Sequence, residues 1–172
     1  LEEKIQGPEV SVFALCDGEK YILLPTAQDH KRLNEKDKGP NTGGMGAYSP
    51  APLLTEDSLD TIVKEIIDPT INELKKRNID YRGVIYFGLM ITEVGAKVIE
   101  YNCRFGDPEC QTIMPLMDQS FVSLLEKCSM GKLTGNEKIN TSDKFSGCVI
   151  ATSKGYPHKY KTGFPIKIGK ID

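Results

Sequence analysis

The chain has 172 residues, of which 39% are hydrophobic and 27% charged, so it can form a globular core. A formal net charge of −2 gives no bulk electrostatic reason to expect binding to nucleic acid or to an anionic membrane. The five cysteines include no C-x-x-C pair, and neither a signal peptide nor an apolar run as long as a membrane span occurs. We therefore expect free thiols, a cytoplasmic location, and neither nucleic acid nor membrane among the partners.

The first elements predicted are two strands. Residues 1–7 begin at Leu1 rather than methionine and resemble the end of a strand entering a turn, so we expect a fragment of a longer protein. Two apolar runs, at residues 10–15 and 21–24, flank Asp17-Gly18 and predict an antiparallel hairpin.

A long loop and a helix follow. Residues 25–52 contain few large apolar side chains and many glycines, prolines and charged residues, which predicts a long loop that is either functional or disordered. Thr55 can cap a helix, since apolar residues recur at helical spacing from Leu59 to Ile67. Pro69 should kink or interrupt this helix.

The remaining pattern predicts a second hairpin, another helix and a new unit. The hairpin strands are predicted at residues 83–92 and 97–101, and the helix at 114–128. Residues 135–144 are polar enough to form a linker, and strands are predicted at 145–152 and 164–168. We expect an α+β fold, with one domain over residues 1–135, and with residues 136–172 forming a linker and the start of a small β-rich domain.

The second hairpin leads into IEYNCRFGDPE, residues 99–109. Period-two alternation places Val98, Glu100 and Asn102 on one strand face. Two oxygen donors on one face suit a hard cation such as Mg²⁺, which fills its remaining positions with water and phosphate oxygens. Arg104 could reach the same region as a bidentate donor to phosphate. A strand edge that carries solvated charge is the alternative interpretation.

Three other polar stretches are candidate ligand sites. For Asp107-Pro108-Glu109 the sequence alone favours a turn with exposed acids over a ligand site. The glycine-rich residues 41–46 lack the Walker A lysine, although their backbone amides can approach a ligand closely. Residues 29–32, with sequence DHKR, open the same loop and could bind substrate or form a solvated charge run.

Covalent catalysis is not expected. His30 and His158 are the only histidines in the sequence, and no nearby Ser or Cys pattern indicates a nucleophile. Tyr156, Tyr160 and Phe164 are expected to pack a small domain rather than stack on bases, because no basic groove accompanies them.

Together these motifs resemble the glycinamide ribonucleotide synthetase family of the ATP-grasp superfamily, almost from end to end. The resemblance is carried by residues 2–9, 27–33, 41–48, 100–109 and 155–157. It implies the carboxy-terminal ATP-grasp subdomain, an antiparallel sheet with helices, taken from an ATP-dependent carbon–nitrogen ligase of purine biosynthesis. The missing N-terminal half of the same enzyme would complete the site, so we expect the fragment alone to be inactive.

In the chemistry that the resemblance implies, the carboxylate of glycine is phosphorylated by ATP with Mg²⁺ or Mn²⁺. The amine of 5-phosphoribosylamine then attacks the acyl phosphate, giving glycinamide ribonucleotide, ADP and phosphate. Such a reaction depends on positioning and charge neutralisation, which agrees with a site made of oxygen donors, arginine and backbone amides.

The resemblance also implies roles for individual residues. Glu2 to Ile5 would form a hinge strand that binds adenine, and Glu9 would hold the ribose hydroxyls. Glu100 and Asn102 would bind the metal, and Arg104 would face the transferring phosphoryl group. The pocket for glycine and phosphoribosylamine would be lined by Asp29, His30, Lys31, Arg32, Gly43, Gly44, Met45 and Gly46, with Asp107 and Glu109 orienting amino groups.

Two departures from the family pattern stand out. Many ATP-grasp enzymes carry a metal-binding glutamate on the strand before Glu100, where this chain has residues 86–89, YFGL. Pro8 occupies a position where family members often have an acid. Two alternative functions stay open: a ligase of the same superfamily acting on another acid and amine, and a non-catalytic nucleotide-binding module.

Overall fold

The computed structural model describes residues 3–117, 120–137, 139 and 143–170, except for the side chain of Ser120. The strands are β1 (Glu9–Asp17), β2 (Tyr21–Leu23), β3 (Gln28–Asp29), β4 (Arg32–Asn34), β5 (Lys38–Asn41), β6 (Gly46–Ser49), β7 (Arg82–Thr92), β8 (Gly95–Asn102) and β9 (Ser146–Val149). The helices are α1 (Glu56–Ile62), α2 (Asp68–Lys76), α3 (Glu109–Ile113) and α4 (Ser120–Ser129), with a π-helical segment at Val63–Ile67 and a 3-10 turn at Met114–Leu116.

A four-stranded antiparallel sheet in the order β2-β1-β7-β8 forms the centre of the chain. Both predicted hairpins are confirmed as its outer pairs. The first turn is fixed by Asp17, whose carboxylate accepts the backbone N–H groups of Glu19 and Lys20 at 3.0 and 2.7 Å. Such a side-chain cap is the physical basis of the Asp-Gly hairpin signal.

Each face of this sheet is covered by helices. On one face, Val12, Phe87 and Leu89 pack in one buried cluster with Ile67 and Ile71 of the segment that runs from α1 to α2. On the other face, a second cluster contains Phe13, Leu15 and Tyr86 of the sheet, with Ile113, Phe121 and Leu124 from the later helices. The alternation of inward and outward side chains along the strands therefore supplies two core layers.

The first helical segment begins as predicted. Thr55 caps α1, and its hydroxyl accepts the Ser58 N–H at 3.2 Å. The interruption expected at Pro69 takes the form of the π-helical segment, which places Pro69 in the first turn of α2. The π-helical turn before Pro69 lets the helical path continue past a residue that has no N–H to donate.

Three predictions of secondary structure are wrong. Residues 25–52 are not one loop, because they contain the four short strands β3 to β6. The helix predicted at 114–128 is divided: Pro115 lies in the 3-10 turn, and α4 begins only at Ser120. Residues 164–168 form no strand, since no strand among the described residues pairs with them.

A second, smaller sheet has the order β3-β6-β9, and β4 pairs with β5 as a separate ribbon. β9 lies beyond the predicted domain boundary at residue 135, yet it pairs along the whole of β6, from Gly46 opposite Val149 to Ser49 opposite Ser146. The division into two domains at that residue stays a prediction, but β9 itself completes a sheet of the first part.

No helix in the described part of the chain combines the length and apolar character needed to cross a bilayer.

Candidate active site

The pairing of β7 with β8 sets the position of the predicted metal ligands. Tyr86 lies opposite Asn102 and Gly88 opposite Glu100, so Glu100 and Asn102 share one face, as predicted. The register then shifts, and Leu89 lies opposite Val98. Val98 is therefore on the other face from Glu100, and its predicted placement is wrong, because a bulge at this point inserts one residue into the alternation.

A cavity of about 160 Å³, which we call the small cavity, opens over this face. It brings together eight of the sequence-predicted site residues: Asp29, Lys31, Gly43, Glu100, Asn102, Arg104, Asp107 and Glu109. Thr42, Tyr86 and Gly106 complete its lining. Residues far apart in the sequence thus meet at one site.

The acids of the DPE stretch are placed differently from each other. Asp107 is exposed and accepts the Gln111 side-chain amide at 2.7 Å, so the plain turn interpretation fits it. Glu109 is only 2% exposed, so that interpretation is wrong for Glu109. Its Oε1 accepts the Ser11 hydroxyl at 2.8 Å, and a Cβ at Gly106 would lie 2.2 Å from its Oε2.

Tyr86 extends this buried group. Its hydroxyl lies 3.1 Å from the Ser11 hydroxyl oxygen, within hydrogen-bond distance. Burial, reinforced by the charge of Glu109, raises the pKa of Tyr86 far above its ordinary value. Tyr86 is therefore a neutral hydrogen-bonding group at the floor of the small cavity.

Asp29 is the carboxylate most perturbed by this environment. Burial, followed by the charge of Glu109, raises its pKa to about 7, although Lys31 acts in the opposite direction. Its Oδ1 is buried and has no hydrogen-bond partner among the residues that the structure describes. An unpaired carboxylate oxygen in a cavity is suited to accept hydrogen bonds from an amine.

Lys31 links the small cavity to a neighbouring one. Its Nζ lies 2.7 Å from Glu9 Oε2 and 4.0 Å from Glu100 Oε1. Burial acts to lower the pKa of Lys31, but the hydrogen bond and charge of Glu9, together with Glu100, outweigh burial and raise it. A permanent cation therefore lies between the predicted ribose-binding and metal-binding carboxylates.

The neighbouring cavity, which we call the large cavity, has a volume of about 580 Å³. The predicted residues that line it are Ile5, Glu9, Asp29, His30, Lys31 and Arg32. Glu2 lies outside the described residues. The hinge strand predicted at residues 2–5 is wrong over the part described, because residues 3–6 have no strand partner there and pairing with β7 starts only at Pro8.

The glycine-rich stretch contributes one residue to a cavity lining. Gly43 lines the small cavity, whereas Gly44, Met45 and Gly46 line neither of the two. The Gly44 N–H donates to the Thr42 hydroxyl at 3.0 Å, and the Met45 N–H donates to the His30 carbonyl at 2.9 Å. These residues shape the loop that carries Gly43.

Sequence reasoning missed Ser11, Thr42, Tyr86 and Tyr156 as site residues. Tyr86 had a usable signal, since hairpin pairing placed it opposite Asn102. Tyr156 was expected only to pack a small domain, and its hydroxyl in fact accepts the Gly43 N–H at 2.9 Å. No local pattern connects two residues that lie 113 positions apart in the sequence.

The donor set fits a hard cation. Within the described residues, no three His, Cys, Asp or Glu side chains are grouped as a metal cage. Glu100 and Asn102 instead offer two oxygens in a cavity that Arg104 also lines. Mg²⁺ and Mn²⁺ accept such an arrangement when ligand phosphates and water supply the other positions.

Comparison with known proteins places the chain in a family. Residues 1–110 match the family described as phosphoribosylglycinamide synthetase, ATP-grasp (A) domain. The chain is 48% identical over 167 residues to the phosphoribosylamine–glycine ligase of Caldanaerobacter subterraneus, covering 97% of this chain and 40% of that protein. It is 45% identical to the trifunctional purine biosynthetic protein adenosine-3 of Gallus gallus, covering 96% of this chain and 17% of that protein.

Comparison with solved structures supports the same assignment. The phosphoribosylamine–glycine ligase of Thermotoga maritima superposes with a TM-score of 0.80 at 32% identity, covering 93% of this chain and 40% of that one. An L-amino acid ligase from Bacillus licheniformis superposes at 0.60 with 21% identity, which shows a shared fold alone. The predicted α+β ATP-grasp fold is confirmed.

The chain spans about 40% of the length of the bacterial ligases that it matches. The family resemblance predicted from its motifs is nevertheless confirmed along the matched residues. The chain belongs to the phosphoribosylglycinamide synthetase family and carries part of its ATP-grasp (A) domain.

Proposed function

We propose that this chain is the section of a phosphoribosylamine–glycine ligase that binds the phosphates of ATP with Mg²⁺ or Mn²⁺ and lines the pocket for glycine and 5-phosphoribosylamine. One observation carries the proposal. The oxygen donors Glu100 and Asn102, the cation Arg104 and the acids Asp29 and Glu109 all line one small cavity.

In this proposal the large cavity takes the nucleoside part of ATP. Glu9 would accept hydrogen bonds from the ribose hydroxyls, and Lys31, now paired with Glu9, would be close enough to neutralise phosphate charge. Because Lys31 lines both cavities, a nucleotide in the large cavity could extend its phosphates toward Glu100. The proposed partner for the rest of this site is the N-terminal half of the same enzyme.

Glu100 and Asn102 would hold the metal ion, which would neutralise charge on the phosphate oxygens when it is bound. Arg104 would contribute a second positive charge. One Nη of Arg104 donates to the Phe105 carbonyl at 2.7 Å, and the planar guanidinium has further N–H groups to offer a transferring phosphoryl group.

The acids would act at the amino groups. The unpaired Oδ1 of Asp29 and the buried carboxylate of Glu109 make this side of the small cavity suited to an ammonium or amine. A carboxylate oxygen of glycine would attack the γ-phosphorus with release of ADP. The amine of phosphoribosylamine would then attack the carbonyl carbon with release of phosphate. Positioning and charge neutralisation supply the rate, so no protein nucleophile is needed.

A cytoplasmic location also belongs to this proposal. It is supported by five free cysteines, all of them within the described residues, because thiols stay reduced in that compartment.

The test uses the full-length protein that contains this chain, with glycine-dependent and phosphoribosylamine-dependent formation of ADP as the measurement. Glu100→Gln removes one negative charge with little change of shape. We expect it to lower kcat/KM roughly 100-fold or more, with partial recovery at high Mg²⁺. Glu93→Gln, at the exposed tip of the same hairpin, is the matched control and should change neither kcat/KM nor its dependence on Mg²⁺.

The alternative functions give different results. A ligase for another acid and amine would form ADP with members of a substrate panel but not with glycine and phosphoribosylamine together. A non-catalytic module would bind Mg·ATP in calorimetry without turnover. Either result from the full-length protein would reject the proposed activity.

A further inference from the structure

The segment that follows β9 contacts the loop that carries Gly43. β9 pairs with β6, and the Ile150 N–H continues this pairing by donating to the Met45 carbonyl at 3.0 Å. Six residues later, the hydroxyl of Tyr156 accepts the Gly43 N–H at 2.9 Å. The loop is therefore hydrogen-bonded to residues from beyond the predicted domain boundary.

Tyr156 lies in a compact hydrogen-bonded turn. The Tyr156 N–H donates to the Ser153 carbonyl at 3.1 Å, and the His158 N–H donates to the Gly155 carbonyl at 3.0 Å. The Tyr156 ring packs edge-on against Tyr160, with ring centres 5.4 Å apart. The ring of Tyr156 is thus held by contacts that do not involve its hydroxyl group.

Movement of Gly43 would be transmitted to the site. The Thr42 hydroxyl accepts the Gly44 N–H, and the Thr42 N–H and hydroxyl both donate to the Lys31 carbonyl, at 2.7 and 2.8 Å. Residues 42–44 and Lys31 therefore form one hydrogen-bonded unit. Thr42, Gly43 and Lys31 all line the small cavity, so the position of this unit sets part of its shape.

We propose that Tyr156 is a positioning residue for the substrate pocket: its hydroxyl fixes residues 42–44 in the conformation that the amine substrates require. The inference rests on the proposed function and deepens it. Asp29 approaches the same loop, because a Cβ at Gly44 would lie 2.9 Å from Asp29 Oδ1. The carboxylate suited to an amine and the loop held by Tyr156 therefore belong to the same side of the cavity.

The test compares Tyr156→Phe with Tyr160→Phe in the full-length protein. Tyr156→Phe keeps the ring contact and removes only the acceptor of the Gly43 N–H. Since one hydrogen bond contributes on the order of a fivefold to tenfold effect, we expect KM for glycine or for phosphoribosylamine to rise by about that factor. KM for ATP should rise less than KM for the amine substrates, because Thr42 and Gly43 line only the small cavity, whereas Lys31 lines both cavities.

Tyr160→Phe is the matched control. It removes a hydroxyl from the partner ring, which packs against Tyr156, so all kinetic constants should stay within about twofold. A second measurement does not depend on turnover. Amide hydrogen exchange at Gly43 should be faster in Tyr156→Phe and unchanged in Tyr160→Phe, while the urea midpoint of unfolding stays the same in both.

Three results would overturn this inference. If an active Tyr156→Phe enzyme kept its KM values and its amide exchange at Gly43, the hydrogen bond between Tyr156 and Gly43 would have no role in positioning the loop. The proposed ligase activity would still stand. An equal rise in KM for ATP would mean a general structural role. A wild-type protein without glycine-dependent ADP formation would instead reject the ligase function itself, and this inference with it.

Discussion

The sheets β2-β1-β7-β8 and β3-β6-β9 both contribute residues to the small cavity, and they are stabilised by different means. In the four-stranded sheet, β1 and β7 pair at nine successive positions from Glu9 to Asp17, between two buried layers. In the three-stranded sheet, β3 pairs with β6 at only two positions and β6 with β9 at four. The four-stranded sheet is stabilised by apolar burial, and the three-stranded sheet mainly by backbone hydrogen bonds.

This difference separates the two chemical roles. Glu100 and Asn102 lie on a hairpin whose two strands adjoin in sequence, so the proposed metal side is set by local pairing on a rigid core. Asp29, Gly43 and Glu109 come from separate segments, and Tyr156 reaches Gly43 from 113 residues away. The proposed substrate side is therefore the part that distant contacts must hold.

The largest expected effect on stability tests the rigid sheet. Phe87 is fully buried on β7 and packs edge-on against Tyr101 at 5.4 Å. Phe87→Ala should lower the free energy of unfolding by about 3–5 kcal/mol, because it removes a large buried side chain and leaves a cavity. Urea unfolding of the protein, followed by circular dichroism, measures this change.

Phe87→Leu is the control for that substitution. It keeps most of the volume, so we expect a loss of under about 1.5 kcal/mol. If Phe87→Ala lowered the free energy of unfolding no more than Phe87→Leu, the four-stranded sheet would not be the sheet that apolar burial stabilises.

The same contrast explains which parts of the fold the sequence predicts. A hairpin is predicted from a local pattern, two strand-like segments on either side of a turn sequence, and both hairpins were found at the predicted places. The shared face of Glu100 and Asn102 followed from alternation alone, whereas the position of Val98 did not, because a bulge has no simple sequence signal.

The substrate side could not be derived in the same way. Strands β3 to β6 hold two to four residues each. β4 pairs with β5 and β3 with β6 inside this stretch, and β6 has a distant partner in β9. The short polar sequences of these strands resemble a loop. Asp29 and Gly43 were nevertheless named from the family resemblance, and the buried state of Glu109 was visible only once Ser11 and Gly106 were placed around it.

An intermediate effect tests the small sheet. A Cβ on Gly46 would lie 2.4 Å from the backbone carbonyl oxygen of Cys148, so Gly46→Ala must separate β6 from β9. We expect a loss of about 1–3 kcal/mol in the free energy of unfolding, as for other overpacked sites. KM for glycine or phosphoribosylamine should rise with it, because β9 leads to Tyr156.

Gly147→Ala is the matched control on the partner strand, where a Cβ would meet its nearest atom, the Ala47 carbonyl oxygen, at an ordinary 3.7 Å. It should change stability by less than about 0.5 kcal/mol and leave KM unaltered. Equal effects of the two substitutions would mean that the β6–β9 pairing does not hold the substrate side.

The smallest expected effect is a gain in stability at Asp29. Its pKa is raised to about 7, first by burial and then by Glu109, so between about pH 4 and pH 7 the folded state retains a proton that the unfolded state has lost. Stability therefore falls as the pH rises through this window, and the penalty is complete above pH 7. Asp29→Asn removes this penalty and should flatten the dependence of the unfolding free energy on pH.

We expect Asp29→Asn to match the wild type near pH 4 and to exceed it at pH 8 by about 1 kcal/mol, a value reduced for solvent screening because the side chain is partly exposed. Asp107→Asn, at the exposed acid of the same cavity, is the matched control and should leave the free energy of unfolding at pH 8 within about 0.5 kcal/mol of the wild type. If Asp29→Asn gained stability while KM for the amine substrates rose, the carboxylate would be retained for binding at the expense of the fold. If Asp29→Asn instead lowered stability at pH 8, the charge would be part of the scaffold, and the distinction between a rigid sheet and a sheet specialised for substrate would not hold.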